Sequence, residues 1–438
     1  MSETVSTTNL IKPTSFYKNT LFKADNIQVD IKNIKKIIED PIYSSTNTYR
    51  LKINKDSTYY ILPNSIQLQF NASVAGFSRG TTAATDHYVI FQPLMLFQQI
   101  EVYLNGTEIY NIRNNRQDIS LYVHKILTKS QDERLYDNEY IFISNDIQLD
   151  GAAITKYACN ENREAYFIVI PHGQAAFNID WVLKLDTSIF DISDKFLPPE
   201  TELEIRIIFK SNLHQWAFHM TDRGANAGTC TGFTVNNVRL LYEILEPYEA
   251  LDAWLLDKWQ NKPIPYDIIN LRCEIKSGLP ASGQKFNNVY QEDKMPDKVI
   301  AFLISNDDYT TGLQNKYNFL GYADGTHYIS KISLFVNGSN FLGSDKTISL
   351  NPNALSNTSI YRMLLDEAFP NNSINWRMWQ NNTIFAFDLS KLDAYNEETK
   401  TRIDIEITGA GLSNYTLYIL FYVRQQITIE KDGRITIY

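Results

Sequence analysis

The sequence predicts an all-β protein made of two similar antiparallel sandwiches in tandem, about eight strands each, with a few short helices. Three observations carry this. Apolar and polar residues alternate with period two through much of the chain from residue 60 onward. Asn-Gly and Asp-Gly dipeptides sit between alternating segments. The same order of segments occurs twice.

Period-two alternation puts successive side chains on opposite faces of a strand, one dry and one wet. Ile66, Leu68 and Phe70 alternate with Gln67 and Gln69; Ile100, Val102 and Leu104 alternate with Glu101 and Tyr103. Leu203, Ile205 and Ile207 alternate with Glu204 and Arg206, and Ile403, Ile405 and Ile407 with Asp404 and Glu406. Asn105-Gly106, Asn337-Gly338 and Asp432-Gly433 supply the positive φ angles of type I′ hairpins. Helical spacing is confined to Ile119–Thr128, Tyr361–Phe369 and Ala250–Trp259, the last just before Pro263 and Pro265, and to a short helix expected at Ile31–Ile38.

The repeat is read from order, because any one alternating match is uninformative. Leu62-Pro63-Asn64-Ser65-Ile66 answers to Met295-Pro296-Asp297-Lys298-Val299, and Ile100–Gly106 to Ile332–Gly338, at offsets of 233 and 232 positions. The strand Leu203–Ile207 answers to Ile403–Ile407 at an offset of 200. Each Asn-Gly hairpin is followed by a helical segment, and each half ends in a long apolar strand, Val238–Leu245 and Leu417–Ile429. The shrinking offset assigns a longer middle loop, about residues 130–165, to the first half. The competing reading is one large irregular β protein. The division expected is an amino-terminal arm at 1–45, a first sandwich at 46–248, a linker at 249–266 and a second sandwich at 267–438.

Composition suits two cores. The chain has 438 residues, 44% of them hydrophobic and 13% aromatic, enough to exceed one ordinary sandwich. The formal net charge of -9 gives no general attraction for nucleic acid or anionic lipid. Cys159, Cys230 and Cys273 are far apart and odd in number, which fits a reducing compartment. Met1 to Asn19 has no apolar core, so no signal peptide is expected, and the longest apolar run, Leu417–Val423, is too short to span a bilayer.

At these same blocks the sequence resembles the double jelly-roll major capsid proteins of Polinton (Maverick) elements and adintoviruses, the lineage that includes adenovirus hexon. Phe91–Ile100 running into Val102–Gly106, with Pro93, Leu96 and Phe97, resembles one family block. Phe196-Leu197-Pro198-Pro199 before Leu203–Ile207 resembles another. Lys276-Ser277-Gly278, Met295-Pro296-Asp297 and Ile332–Gly338 resemble the start of the second roll, and Phe387-Asp388-Leu389 with Tyr422–Ile429 its end. The sequence departs from the family pattern at Pro199, where glycine is expected, at Lys298 for arginine, and at Asn315-Lys316-Tyr317 for Asn-Pro-Phe. The resemblance implies two tandem eight-stranded jelly rolls and a homotrimeric, pseudo-hexagonal capsomer of an icosahedral shell. It also implies contacts with neighbouring capsomers and with minor capsid or penton proteins. It places the protein in the virion, made in the host cytoplasm and assembled in the nucleus. Segments Thr221–Gly232, Asp307–Tyr328 and 130–165 are then candidate outer loops or clasps between subunits.

Chemistry is not marked. There is no Walker loop, GxSxG, HExxH or EF-hand pattern, and Gly409-Ala410-Gly411 lacks a third glycine. His214 and His219 are five residues apart, which on one strand points them to opposite faces, a poor metal pair. No catalytic, cofactor or metal residue is therefore expected, nor sequence-specific nucleic-acid binding. Trp376 and Trp379 could stack a sugar or act as buried anchors. The alternatives are a double jelly-roll glycan-binding protein or hydrolase, since fold alone does not choose, and, more weakly, a receptor-binding spike.

Overall fold

The structure is a computed structural model of the chain. It describes residues 31–77, 87–91, 93–111, 116–129, 148–150, 153–155, 168–170, 175–185, 187–220, 230–306, 319–321, 327–341, 348–350, 358–372, 374, 376, 379, 382–392 and 400–438.

Eight strands form the main framework of the first unit: β1 (Ile31–Glu39), β2 (Thr48–Ile53), β3 (Tyr60–Ala75), β4 (Phe97–Leu104), β5 (Thr107–Asn111), β6 (Phe177–Lys184), β7 (Leu203–Phe209) and β8 (Gly232–Pro247); shorter strands, such as His87–Phe91 between its flanking strands Ile168–Ile170 and Phe218–Met220, lie outside it. Eight more build the second: β9 (Ile264–Lys276), β10 (Gly283–Glu292), β11 (Lys298–Ser305), β12 (Tyr328–Val336), β13 (Ser339–Asn340), β14 (Ile384–Asp388), β15 (Thr401–Ala410) and β16 (Tyr415–Ile429). A short β17 (Ile435–Ile437) closes the chain on β16.

The first unit has sheet orders β1-β8-β3-β6 and β2-β7-β4-β5; the second has β9-β16-β11-β14 and β10-β15-β12-β13. Adding eight to every number in the first pair gives the second pair. All these neighbours are antiparallel. Two facing antiparallel sheets, each with four strands in this crossed order, are a jelly roll, so the chain is a double jelly roll; Tyr43–Ser44, Ile348–Ser349 and β17 each add a short strand to one of the four sheets. Helix α1 (Gln117–Thr128) lies between β5 and β6. Its counterpart between β13 and β14 is α3 (Thr358–Tyr361), continued by a π-helical turn at Arg362–Asp366. Helix α2 (Glu249–Asn261) joins the rolls.

The inward faces follow the alternation. In β3, Ile66, Leu68, Phe70, Ala72 and Val74 are buried while Gln67, Gln69, Asn71 and Ser73 are half-buried on the other face. The second roll differs. In β11 every residue from Val299 to Ser305 is buried, and in β16 every residue from Tyr415 to Val423. A strand dry on both faces belongs to a sheet covered on both sides.

Ile31–Ile38 is a strand and not a helix. Its isoleucines fall at helical spacing, but β-branched side chains suit the pleat, and the free edge of β8 supplies a full ladder from Ile31–Pro247 to Glu39–Leu240. Cross-strand ion pairs, Lys32 with Glu246 at 2.7 Å and Lys36 with Glu243 at 3.5 Å, run along it. The strand falls within the segment expected to be an arm.

The hairpins of the two rolls are alike. Asn105 and Gly106 have φ of 46° and 81°, Asn337 and Gly338 of 50° and 84°, the geometry of type I′. The closing turn is different: Gly433 has φ of 80° but Asp432 does not have positive φ. Gly433 N–H donates to Glu430 O at 2.9 Å and Glu430 N–H to Arg434 O at 3.0 Å, a three-residue loop ending in a left-handed glycine. The expected type I′ turn at Asp432-Gly433 is thereby corrected.

A Cβ added at Gly106 or Gly338 meets nothing within 4 Å, so only the backbone conformation opposes a side chain there. Gly106→Val and Gly338→Val should each cost about 1–3 kcal/mol, read by urea unfolding, while Gly106→Asn should cost less because asparagine tolerates that region.

Candidate functional site

Among the described residues no group of three His, Cys, Asp or Glu side chains could hold a metal. His214 sits in a 3-10 turn and His219 in the separate strand Phe218–Met220, so they do not share the strand assumed for them. Cys273 is buried, and burial pushes its thiol up to about 12, which leaves almost no thiolate. Burial also pushes the Cys230 thiol up. Cys159 lies outside the described residues. Trp379 is wholly buried and donates from Nε1 to Ile384 O at 2.7 Å, an anchor inside the second roll and not a sugar platform.

The dense polar site is the junction of the rolls, built around α1. Every residue from Gln117 to Leu127 is buried, and the helix of the first roll covers the outer face of the β9-β16-β11-β14 sheet of the second. This is why β16 is apolar on both faces. Arg116 donates from Nη1 to Tyr418 Oη at 2.9 Å. His124 Nδ1 lies 2.9 Å from Tyr422 Oη, and Tyr122 stacks on Phe319 with centroids 6.2 Å apart. Gln117 makes both side-chain bonds to the backbone of Ile100, tying the helix to β4.

At the start of α1, Asp118 is fully buried between Arg116, at 3.2 Å, and Lys210, at 2.8 Å. Lys210 Nζ also lies 3.8 Å from the centroid of the Trp216 ring, with the Arg116 guanidinium 5.9 Å from it. Burial by itself raises a carboxyl; here the Arg116 and Lys210 charges and their hydrogen bonds outweigh it and hold Asp118 below its ordinary value.

Further ties cross the junction. Lys195 Nζ donates to Pro265 O at 2.7 Å, Tyr266 Oη to Phe196 O at 2.5 Å, and Asn270 Nδ2 to Ile109 O at 3.0 Å. Trp259 of α2 donates to Ile429 O at 3.0 Å.

The hairpin asparagines act as clamps, in both rolls by the same bonds. Asn105 N–H donates to Glu202 O at 2.9 Å, and Glu202 N–H donates back to Asn105 Oδ1 at 2.7 Å. Asn337 does the same with Arg402, at 2.8 Å each way. Asn105 does one thing more: its Nδ2 donates to Gly433 O at 2.8 Å, so the first roll's hairpin grips the turn that closes the second roll.

A second device also repeats. Glu204 of β7 takes Arg50 Nε at 2.8 Å and Arg206 Nε at 2.6 Å, with the Arg206 guanidinium 4.2 Å from the Tyr103 centroid. Asp404 of β15 takes Arg402 Nε at 3.0 Å and lies 3.7 Å from Lys285 Nζ, which sits 4.1 Å from the Phe335 centroid. In both, burial opposes ionisation and the paired cations overcome it, so each carboxyl is depressed. Alternation marks only the apolar faces, so sequence reasoning missed these polar counterparts; their common offset of 200 positions was the available signal.

The family-block residues lie where the framework is tightest. Pro93 to Leu96 form a buried 3-10 turn, and Phe97 stacks on Phe209 with centroids 5.3 Å apart. Leu197 exchanges two backbone bonds with Ile61, at 2.9 and 3.1 Å. Pro198 and Pro296 are buried. Lys298 is half-buried with its Nζ 4.1 Å from the Phe369 centroid, and burial holds its ammonium below its ordinary value. Most of the segments expected as outer loops or clasps, including 130–147, 156–165, 221–229 and 307–318, lies outside the described residues. Among the described residues no helix is long and apolar enough to cross a membrane.

No protein-family model and no curated protein matches the sequence. Solved structures match the fold. A chain of the Sputnik virophage has a TM-score of 0.63 at 13% identity, over 93% of this chain and 89% of that one. The mavirus major capsid protein has a TM-score of 0.55 at 10% identity, over 92% and 90%. A chain of the PBCV-1 virus capsid has a TM-score of 0.54 at 13% identity, over 92% and 96%. At such identities the likeness is one of fold, and it runs the length of each chain.

Two outcomes follow from the junction. Asp118→Asn should destabilise the protein by about 3–5 kcal/mol at neutral pH, because it removes the buried carboxylate to which both Arg116 and Lys210 are bonded. The folded Asp118 carboxyl is depressed, so its stabilisation is present above the unfolded value of about 3.9 and is lost as pH falls through the folded one. The acid limb of the melting temperature should therefore be shallower in Asp118→Asn than in the parent, measured by calorimetry from pH 7 to pH 2. Asn105→Ala should cost more than Asn337→Ala, since only the former also loses the bond to Gly433, checked by paired urea titrations.

Proposed function

We propose that this chain is a major capsid protein whose copies assemble as homotrimers into the facets of an icosahedral shell. The observation that carries the reading is the strand-for-strand repetition of one roll by the next, in a chain whose fold is shared end to end with the mavirus major capsid protein. Three copies of a two-roll subunit give six similar walls around one axis, so a threefold assembly offers a nearly hexagonal outline that tiles a flat surface. Neighbouring trimers, and minor capsid or penton proteins at the vertices, are then the partners. The virion is the location, with synthesis in the host cytoplasm and assembly in the nucleus.

A wall must hold its shape, and the junction supports that role. Both ends of the chain's second roll are bonded to the first, at Lys195–Pro265 and at Asn105–Gly433. In this reading the first wall runs from Ile31 to Pro247, α2 is the joint, and the second wall starts at Ile264. In this reading the chain is a structural protein and not an enzyme; the depressed carboxyls Asp118, Glu204 and Asp404 are held by cations, and Cys230 and Cys273 are buried. Within the double jelly-roll lineage we place it with the Polinton and adintovirus branch on the blocks around Pro93–Phe97 and Leu197-Pro198.

Sedimentation of the purified protein should give a trimer, and negative-stain electron microscopy should show hexagonal particles or facets. A monomer persisting across a hundredfold range of concentration would overturn the reading.

A further inference from the structure

Three outermost strands meet in one groove beside the junction. Among the described residues β5 pairs only with β4, β9 only with β16 and β10 only with β15, so each keeps one edge without a strand partner. Between them lies a groove of about 610 Å³, lined by residues 108–111 of β5, 270–274 of β9 and 288–292 of β10. Each strand thus offers four or five residues along it. That is the length of an extended segment of about five residues, roughly 17 Å.

The lining is mainly polar and acidic. Glu108, Glu274 and Glu292 face it with Arg272 as the cation among the lining residues. Arg272 is already paired with Glu292, and Glu274 lies 3.4 Å from Lys276. Glu108 has no ion pair among the described residues; its Oε2 accepts from Tyr103 Oη at 3.3 Å. Asn270 spends its amide N–H bonds on Ile109 O and Gln425 Oε1, at 3.0 and 2.6 Å, while its buried Oδ1 has no hydrogen-bond partner.

We propose that this groove docks an extended segment of another polypeptide, one bearing lysine or arginine side chains, which adds as a strand to the free edge of β9. Open strand edges are templates for another peptide backbone, whose N–H and C=O groups satisfy theirs. Three carboxylates against Arg272 leave the lining net negative, with Glu108 outside any ion pair among the described residues, which favours basic side chains and disfavours phosphate-bearing ligands. An unpartnered Asn270 Oδ1 offers one further acceptor. The proposal stands on the groove and not on the shell-forming reading, because binding is measurable on unassembled protein.

The test uses the full chain and a fluorescein-labelled peptide, Lys-Val-Thr-Val-Lys-Val-Thr, followed by anisotropy at low and moderate salt. Its controls carry Glu for Lys, or Pro for the central Val. The basic peptide should bind at least tenfold more tightly than either control, and more weakly as salt rises. Glu108→Lys and Glu274→Lys, both at half-buried positions, should each weaken binding about tenfold with unchanged melting temperatures. Hydrogen exchange should slow at residues 270–274 when the peptide is bound. Absence of binding, equal binding of the acidic peptide, or binding without added protection at 270–274 would overturn the proposal.

Discussion

Helix α1 has no solvent face. It leaves the first roll after β5, lies across the back of the second roll's β9-β16-β11-β14 sheet, and returns to the first roll at β6. Two jelly rolls joined only by a linker would be two domains free to move, because the outer faces of such sheets can be wet. Here one outer face is not wet. Tyr418 and Tyr422 turn their hydroxyls to Arg116 and His124, and the sheet beneath them is dry on both sides. The relation between the rolls therefore depends on burying a helix whose first turn carries a charge. That charge is tolerable only because Arg116 and Lys210 close around Asp118.

The two rolls share topology but not roles. Each has the asparagine clamp between its hairpin and the strand that follows the long connection, and each has a carboxylate held by two cations, on β7 in one roll and on β15 in the other. These devices sit at equivalent positions because they solve a problem internal to a roll: fixing the register of β4 with β7, and of β12 with β15. The role of α1 across the junction is not repeated. The helical turn at Thr358–Asp366 stays with its own roll, where Tyr361 and Trp379 pack edge to face at 5.8 Å. One copy of the connection builds the roll, and the other builds the junction.

The same asymmetry accounts for the open edges at the groove. Joining the rolls through α1 and the Asn105–Gly433 contact brings β5 of one beside β9 and β10 of the other without pairing them. Sheet edges left this way must be covered, charged or filled. Glu108, Glu274 and Glu292 charge them, which discourages apolar association and leaves the backbone groups available to a segment of opposite charge.

Much of the fold was legible because alternation is local. Ile66-Gln67-Leu68-Gln69-Phe70 declares a dry and a wet face whatever it packs against, and Asn-Gly declares positive φ at Asn105 and Asn337. Order along the chain then made the duplication readable. Ile31–Ile38 was misread because its isoleucines fall at helical spacing, while the edge of β8, some 200 residues away, chose the strand and left Ile34 and Ile38 exposed. Asp432 was misread because turn type depends on how many residues the flanking strands leave between them. The apolar run Leu417–Val423 was read only as a strand too short to span a bilayer; that its sheet is covered on both faces, and by what, took the structure. Sequence by itself determined the strands, their dry faces and their repetition, since these follow from neighbours a few residues apart. Only tertiary structure decided which helix fills the space between the rolls, which charges meet at Asp118, and which edges stay open, since those depend on contacts between residues far apart in the chain.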